Sequence, residues 1–395
     1  MLKISFYRKK NFKKSEIGEI SREWETTSLW NIANYINGYP FSQKDWSTEG
    51  LPIIRIQNLT NPKAHFNHYR GNIEEKYIIE SGDLLLSWSG SIGVYLWKGN
   101  KAVLNQHIYK VIPNSNVNKS FLYFVLQQAI DQLKKKVHGS TMQHFRKKEL
   151  KKTYIPLPPL EEQKNIAKVL KDFDDLLENI EKQIKTLDRV KKGLMNIYFT
   201  KGVFKHETFK DTEIGRIPAE WEVKRVQEIL EVGKSINGIK ENEIAEKGKY
   251  PVINQGKGYI LGFSDKEEFL IKDNLPLIVF GDHTCEVKYI DFPFIVAGEG
   301  VKILKPKKGI NPLFFFYAVS KYKPTPEHYR RHFKLLKESK IPLPPLKEQK
   351  AIAERLKTID DQIENLKKQK EHLQKVKKKF MELLLTGKIR VKLHS

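Results

Sequence analysis

One stretch of sequence occurs twice in this chain, and this internal repeat constrains the fold more than any other feature. Residues 155–170 read IPLPPLEEQKNIAKVL and residues 341–356 read IPLPPLKEQKAIAERL, with 12 of 16 positions identical at an offset of 186. A second pair lies upstream, EIGEISREWE at 16–25 and EIGRIPAEWE at 213–222, at an offset of 197. A repeat of this length predicts two copies of one structural unit in succession.

A long amphipathic helix is predicted to follow each copy of the proline-rich motif. The prolines disfavour a helix within the motif itself. After them, apolar residues recur at alternating steps of three and four, from Ile166 to Leu194 and from Ile352 to Phe380, which is the heptad seam of a coiled coil. We expect the first helix to run from Leu160 to Tyr198. The two helices most simply pair with each other, because two separate surface helices would leave a long apolar seam unburied.

Three lysines interrupt this apolar seam. Lys191 and Lys377 occupy seam positions in both copies, and Lys370 stands where the first copy has Ile184. A lysine is almost never fully buried unless it is paired. We therefore expect looser helix packing towards the C-terminal ends of both helices.

The segments between the repeated motifs have a different character. Residues 26–150 contain runs such as LPIIRI and AVLNQHIYKVI, and residues 223–335 contain runs such as YPVINQ and FIVAGEGVKIL. Runs of β-branched and aromatic residues, punctuated by Gly, Pro, Asn and Asp, are typical of strands and turns. Apolar helical runs appear at 121–133 and 311–320. The predicted fold class is α+β, with one compact domain containing a curved sheet in each segment.

Composition excludes several classes of protein and favours an anionic partner. Lysine and arginine number 71 against 47 aspartates and glutamates, which gives a formal net charge of +24 at pH 7. Such an excess indicates nucleic acid binding. The one cysteine, Cys285, excludes an internal disulfide and a zinc site built from several cysteines. The longest apolar run, Leu313 to Val319, is far short of the ~20 residues that cross a bilayer. With no secretory signal at the N-terminus, we expect a cytoplasmic protein without membrane contact.

Motifs for catalysis are incomplete wherever they begin. A phosphate-binding loop would require glycine at position 228, which is Glu228. Residues 311–314, Asn-Pro-Leu-Phe, lack the second proline of a DNA amino-methyltransferase motif. Asp282, Glu286 and Lys288 have the residue types of a metal-dependent nuclease but not its spacing. We therefore predict no catalytic residue and no metal site in this chain.

The repeated motifs resemble those of a known family. PLPPLEEQKNIA and PLPPLKEQKAIA, each opening a long helix, resemble the conserved regions of the specificity subunit of type I restriction–modification enzymes. The runs GDLLLSWSGSIG, VLNQHIYKVI, INQGKGYILG and FGDHTCEVKYI are similar to its target-recognition domains. The resemblance covers essentially the whole chain. It implies two α+β target-recognition domains separated by two long antiparallel coiled-coil helices in a pseudo-two-fold repeat. The implied boundaries are 1–150 and 209–336 for the recognition domains, and 151–208 and 337–395 for the helical spacers.

The resemblance also implies a function. It indicates a non-catalytic reader of double-stranded DNA that recognises a bipartite site and docks two methylation subunits and restriction subunits. The chain would need no cofactor of its own, since S-adenosylmethionine, ATP and Mg would act on the partner subunits. Because the two variable segments differ in sequence, we expect the two half-sites to differ as well.

Polar residues on loops near each sheet and before each proline-rich motif are the candidates for DNA contact. Arginine and glutamine can bind guanine or adenine edges bidentately. The alternative is that the serines and threonines cap turns. The candidates are Ser87, Ser89, Ser91, Gln106, Thr141, Gln143, His144 and Arg146 in the first domain, and Asn254, Gln255, Lys257, His283, Thr284, Tyr329, Arg330 and Arg331 in the second.

The near-identity of the two motifs suggests a surface that binds two copies of one partner. The candidate contacts for the methylation subunits lie on exposed faces beside Pro158, Pro159, Glu162 and Gln163 and their repeats Pro344, Pro345, Glu348 and Gln349. The alternative is that the motif braces the junction between domain and helix.

Two other classes of protein stay open at the level of sequence. One is a nuclease or methyltransferase with built-in recognition, which the missing motifs disfavour. The other is an interaction scaffold that joins partners without reading DNA, which the positive charge disfavours.

Overall fold

The computed structural model of the chain describes residues 3–7, 11–61, 63–136, 144–231, 238–326 and 331–394. The first half consists of short strands that lead into one long helix. Its strands are β1 (Lys3–Tyr7), β2 (Phe12–Ser15), β3 (Gly18–Ser21), β4 (Glu25–Ser28), β5 (Ala33–Asn37), β6 (Leu51–Ile54), β7 (Asn67–Tyr69), β8 (Ile78–Ile79), β9 (Leu84–Ser87), β10 (Gly93–Leu96), β11 (Ala102–Leu104), β12 (Ile108–Pro113) and β13 (Tyr154–Leu157). Its helices are α1 (Ile56–Thr60), α2 (Lys119–Lys136), α3 (Lys147–Lys152) and α4 (Leu160–Tyr198).

The second half repeats much of this order of elements. Its strands are β14 (Phe209–Thr212), β15 (Gly215–Pro218), β16 (Glu222–Arg225), β17 (Tyr250–Ile253), β18 (Gly262–Ser264), β19 (Leu277–Gly281), β20 (Val287–Ile290), β21 (Ile295–Val296), β22 (Val301–Leu304), β23 (Lys340–Leu343) and β24 (Arg390–His394). Its helices are α5 (Val226–Ile229), α6 (Pro312–Tyr322), α7 (Phe333–Glu338) and α8 (Leu346–Leu385). The predicted helix over 160–198 is confirmed by α4, and the runs at 121–133 and 311–320 are confirmed by α2 and α6.

The chain divides into two compact units, and each takes residues from both repeats. Unit 1 contains residues 1–181 and 369–395, and unit 2 contains residues 182–368. Both divisions fall inside a long helix, so each unit holds one variable segment, the first part of its own long helix and the last part of the other. The boundaries predicted from sequence follow the order of the repeats along the chain. They do not include this exchange of helix ends, by which each unit holds the last part of the other repeat's long helix.

The two largest sheets of each unit have matching topology, and the remaining strands form two-stranded sheets. In unit 1 the sheet orders are β10-β9-β12-β5 and β7-β6-β11-β8, and in unit 2 they are β20-β19-β22 and β18-β17-β21. The pairing of β6 with β11 is parallel, as is the pairing of β17 with β21. The central strands β9 and β19 are buried along their whole length. The α+β class with an internal repeat is confirmed.

The long helices pair antiparallel within each unit, and the lysines of the seam take part in the pairing. In unit 1, Lys377 Nζ lies 2.5 Å from Asp174 Oδ1, and Lys370 Nζ lies 3.3 Å from Glu181 Oε2. Asp174 and Glu181 are seven residues apart on α4, and their partners Lys377 and Lys370 are seven residues apart on α8 in the reverse order. The two helices therefore run antiparallel. In unit 2, Lys191 Nζ lies 2.5 Å from Asp360 Oδ1. The seam lysines are therefore partners in interhelix ion pairs, in addition to being breaks in the apolar pattern.

Among the described residues, no helix has the length and apolar character needed to cross a membrane. In the same part of the chain, no three His, Cys, Asp or Glu side chains are grouped closely enough to hold a metal ion.

Candidate nucleic-acid interface

In unit 1, three loops that are distant in sequence meet beside the end of β9. They are the loop after β9, the turn between β11 and β12, and the segment before α3. The amide of Trp88 donates to His107 O at 3.0 Å, and the amide of Phe145 donates to Trp88 O at 2.7 Å. An isolated bridge also pairs Ser89 with His144. These contacts bring together four predicted DNA-binding residues, Ser89, Gln106, His144 and Arg146.

A tryptophan that sequence reasoning missed lies at the centre of this cluster. The Trp88 side chain is 9% exposed, and its indole N–H donates to Asn37 Oδ1 at 2.9 Å. The ring centroids of Trp88 and His107 are 4.7 Å apart, and the guanidinium carbon of Arg146 lies 5.0 Å from the Trp88 ring centroid. We call Trp88, His107, His144 and Arg146 the Trp88 cluster. An aromatic residue between two serines directly after a buried strand was the available signal for it.

The turn beneath this cluster holds polar atoms without a protein partner. His107 has a φ of 75°, in the left-handed region that residues other than glycine seldom adopt. Among the described residues, Asn105 Oδ1 and His107 Nδ1 are buried and have no hydrogen-bond partner. Burial lowers the pKa of the His107 imidazole, and the charges of Arg146 and His144 lower it further. His107 is therefore neutral at pH 7 and carries one donor and one acceptor nitrogen.

Ser87 does not face DNA, and the prediction for it is wrong. Its side chain is fully buried. Its hydroxyl donates to Ser91 O at 2.7 Å and accepts from the Gly93 amide at 2.9 Å. The hydroxyl thus holds the turn after β9, which is the turn-capping alternative. Ser91, by contrast, is exposed at the tip of that turn.

In unit 2, the loops after β17 and β19 are held against each other. The His283 amide donates to Gln255 Oε1 at 3.1 Å, and the Thr284 hydroxyl donates to Gln255 O. The buried Lys288 ammonium supports the same loop by donating to Asn254 O at 2.8 Å. The structure thus brings together four of the predicted residues in this domain, and exposed Lys257 lies on the same loop.

Two of these side chains already have structural roles. Asn254 Oδ1 accepts from the Gly256 amide at 2.9 Å, and Gln255 Oε1 accepts from His283. Their remaining amide N–H groups are the parts that can donate to another molecule.

Arg331 lies beside the loop after β19, because the two residues that follow it in the chain are hydrogen-bonded to Asp282 of that loop. The His332 amide donates to Asp282 O at 2.8 Å, and the Phe333 amide donates to Asp282 Oδ1 at 2.7 Å. Arg331 itself is exposed. Four other candidates, Thr141, Gln143, Tyr329 and Arg330, lie outside the described residues.

The repeated carboxylates are buried, so the prediction that they form an exposed partner surface is wrong. In unit 1, Glu162 Oε2 accepts from the Trp24 indole at 3.0 Å, and Arg390 donates to both oxygens of the carboxylate. In unit 2, Glu348 Oε2 accepts from the Trp221 indole at 3.0 Å. A buried carboxylate must be paired or hydrogen-bonded, and the Glu-Trp-Glu repeat upstream supplies that partner.

The repeated glutamines are also buried and join each long helix to its own domain. Gln163 Nε2 donates to Pro158 O at 2.8 Å, and Gln163 Oε1 accepts from the Asn118 amide at 2.8 Å. In unit 2, Gln349 makes the same pair of contacts with Pro344 O at 2.8 Å and the Asn311 amide at 2.9 Å. Pro158 and Pro344 are buried too. The motif braces the junction between domain and helix, and only Pro159 and Pro345 of the eight predicted contacts are exposed.

Comparison with known proteins gives one consistent result. The family model for the type I restriction modification DNA specificity domain matches residues 21–189 and 218–375. The chain is 36% identical to a protein of Methanocaldococcus jannaschii named a putative type I restriction enzyme MjaX specificity subunit, over 98% of this chain and 99% of that one. It is also 36% identical to the MjaVIII specificity subunit of the same organism, over 98% of each chain.

Solved structures show the same fold at lower identity. The S subunit of a type I restriction-modification system from M. genitalium has a TM-score of 0.57 and 19% identity, and the match covers 92% of this chain and 96% of that one. A chain from a structure that concerns complex assembly and conformational transition of the type I R-M system has a TM-score of 0.50 and 15% identity, with 93% and 99% covered.

Proposed function

Because the chain belongs to the family of type I restriction–modification DNA specificity subunits, we propose that it selects the DNA target of such an enzyme by reading a bipartite, asymmetric site, one half with each unit. One observation carries this proposal. In each unit, the loop after the buried strand, β9 or β19, is hydrogen-bonded to the segment before a short helix, α3 or α7. An exposed arginine lies at that contact, Arg146 in unit 1 and Arg331 in unit 2. The net charge of +24 supports binding to the duplex.

The chemistry of the enzyme belongs to other subunits in this proposal. The chain is a non-catalytic reader that acts in the cytoplasm. Methylation subunits supply S-adenosylmethionine chemistry, and restriction subunits supply ATP- and Mg-dependent cleavage. The names of the relatives, all specificity subunits, support this division.

Two methylation subunits are proposed because the brace between domain and helix is built twice. Since the carboxylates and glutamines of the motif are buried, docking must use their exposed neighbours. Pro159 and Leu160 in unit 1 and Pro345 and Leu346 in unit 2 are exposed, with Leu160 37% and Leu346 42% accessible. An apolar side chain exposed at the same place in both copies suits one partner surface bound twice.

Selection from a pool of random duplexes tests the function. The full chain with methylation subunits is expected to enrich a site with two defined halves and an undefined gap. Exchanging residues 26–150 for another domain of this family should change one half only. This exchange keeps Trp24 and Glu162, which hold the junction together.

This selection, together with an assay of the chain alone for cleavage and methylation of DNA, separates the two rival classes. An interaction scaffold would enrich no sequence. A chain that cleaved or methylated DNA in the absence of other subunits would be an enzyme with built-in recognition, and either result would contradict the proposal.

A further inference from the structure

The two units build the same junction with different chemistry. In unit 1, the residue after β9 is Trp88, and Arg146 at the start of α3 lies over its ring at 5.0 Å. In unit 2, the residue after β19 is Asp282, and it binds the backbone at the start of α7. If each unit reads one half-site, this junction is a place where the two units would read different bases.

We propose that Arg146, held over the face of Trp88, reads a guanine in the half-site of unit 1, with Trp88 as the residue that positions it. The inference rests on the proposed function and adds to it the identity of one base. It concerns a base edge in the major groove, where guanine presents two acceptors, O6 and N7.

Trp88 is well fixed, which makes it a suitable support. Its indole N–H is bound to Asn37 Oδ1 at 2.9 Å, and its backbone is bound on both sides, by His107 O at 3.0 Å and the Phe145 amide at 2.7 Å. A guanidinium held over an aromatic face keeps its N–H groups, which lie in the plane of the guanidinium, free to donate outwards. Arg146 therefore loses less conformational entropy on binding than a free arginine would.

The guanidinium of Arg146 is also available for a ligand. Its side chain is exposed. Among the described residues, no carboxylate forms an ion pair with it; Glu149 accepts from its backbone amide at 3.0 Å instead. A planar fork of donors that no carboxylate of the described residues pairs with matches the two acceptors of guanine.

The surroundings favour a base over a phosphate. On the two loops that meet the segment of Arg146, Ser89 and Gln106 have uncharged side chains, and the lowered pKa of His107 keeps its imidazole neutral. Two lysines of α3 lie at a different aromatic ring, because Lys147 and Lys151 are 4.6 and 5.9 Å from the ring centroid of Trp30. The loops that face the segment of Arg146 thus offer neutral hydrogen-bonding groups, which suit a base edge.

Selection from random duplexes, followed by affinity measurements at several salt concentrations, tests the inference on the full chain with methylation subunits. Wild type should select a guanine at a position that Arg146→Lys and Arg146→Ala no longer select, with selectivity there falling about ten- to a hundredfold. Arg146→Lys keeps the charge, so its affinity should depend on salt as wild type does. Lys147→Ala is the matched control and should weaken binding to all sequences equally while the guanine preference is kept.

The role of Trp88 has its own readout. Trp88→Phe keeps an aromatic face and should retain most of the guanine preference, whereas Trp88→Leu should lose it. Affinity for the other half-site and the thermal melting curve report whether each variant is folded.

Three results would overturn the inference. They are a unit 1 half-site without guanine, an unchanged preference in Arg146→Lys and Arg146→Ala, and an equal loss on all sequences, which marks a phosphate contact. A wild-type complex that selects no sequence would instead contradict the proposed function itself.

Discussion

At the scale of single residues, the buried Glu162 carboxylate contributes to the stability of the folded chain, although the motif that contains it looks like a surface segment in sequence. It binds Trp24 and Arg390, whose side chain is only 6% exposed. Removing one partner of a buried ion pair leaves the other charge uncompensated, which costs about 3–5 kcal/mol. Reversing this charge would therefore disturb the fold before it disturbed any partner.

We expect Glu162→Gln to lower the free energy of unfolding by about 3–5 kcal/mol. Glu161→Gln, at an exposed neighbouring position, is the matched control and should change stability by less than about 0.5 kcal/mol. Urea unfolding of both variants checks this. Equal, small effects would show that the Arg390 pair adds little to stability.

Unit 2 has a histidine where unit 1 has Arg390. His206 Nε2 lies 3.0 Å from Glu348 Oε1, and its Nδ1 lies 2.5 Å from Glu220 Oε1. Burial alone would lower the pKa of His206, but the hydrogen bonds to Glu348 and Glu220 outweigh it and raise the pKa above its ordinary 6.5. A group whose pKa is raised on folding stabilises the folded state while it is protonated.

The stability of unit 2 should therefore depend on pH near neutrality. The contribution of His206 is complete below pH 6.5 and is lost as the pH rises through the raised pKa. In wild type, the melting temperature should fall as the pH rises through this range. His206→Arg places a permanent cation there, like Arg390 in unit 1, and should remove the part of this fall in melting temperature that His206 causes. Replacing the exposed His65 should leave the fall unchanged. If the melting temperature of His206→Arg depended on pH as that of wild type does, the pH dependence would not come from His206.

At the scale of elements, each domain helix is tied to the pair of long helices by one repeated arrangement. In unit 2, Lys191 lies 2.5 Å from Asp360 and 5.2 Å from the Tyr317 ring centroid, while in unit 1 Lys377 lies 2.5 Å from Asp174 and 5.2 Å from the Phe124 ring centroid. Lys191 and Asp174 are each 186 residues before their counterparts, the same offset as in the sequence repeat. The arrangement is part of the repeated unit.

The tyrosine makes this arrangement stronger in unit 2. The Tyr317 hydroxyl donates to Asp360 Oδ2 at 2.7 Å, and Phe124 has no such group. Tyr317→Phe should cost about 1.5–3 kcal/mol, the value of a hydrogen bond to a charged group. Tyr322→Phe is the control, because its hydroxyl is 3.5 Å from Phe199 O and should contribute much less. Denaturant unfolding measures both, and an equal loss in the two variants would argue against a special role for Tyr317.

At the scale of the whole molecule, the paired long helices are expected to set the gap between the two half-sites. Removing 178–184 together with 367–373 takes one heptad from each helix at positions that face each other, since Glu181 pairs with Lys370. The ion pairs at Asp174 and Lys191 are kept. Each helix shortens by roughly 10 Å, which corresponds to about three base pairs of ~3.4 Å each.

We expect this double deletion to bind a site with a gap shorter by about three base pairs. Removing 171–177 from α4 alone is the control, because it deletes Asp174 and leaves α8 at full length, and it should weaken binding to every gap length. Selection from duplexes with variable gaps measures the preference. An unchanged gap at full affinity in the double deletion would refute a ruler role for the helices.

Local patterns were enough to predict much of this protein. The repeat follows from the identity of two segments at an offset of 186. The helix over 160–198 and the α+β class follow from spacing over a few residues, because helices and strands bury side chains at fixed periods of 3.6 and 2. The segments before α3 and α7 were recognised as candidate DNA loops from their polar residues, and the structure brings His144 and Arg331 next to the loops after β9 and β19.

Tertiary structure alone decided which polar side chains are buried and which residues meet. Glu162 looks like a surface residue in sequence, since the partners that make its burial possible lie far away: Trp24 is 138 positions distant and Arg390 is 228. The exchange of helix ends between the two units and the contact of Trp88 with Arg146 are non-local in the same way. A period in the sequence fixes only a side chain's direction on its own element, whereas the energy of burying a charge depends on partners that folding brings from elsewhere in the chain.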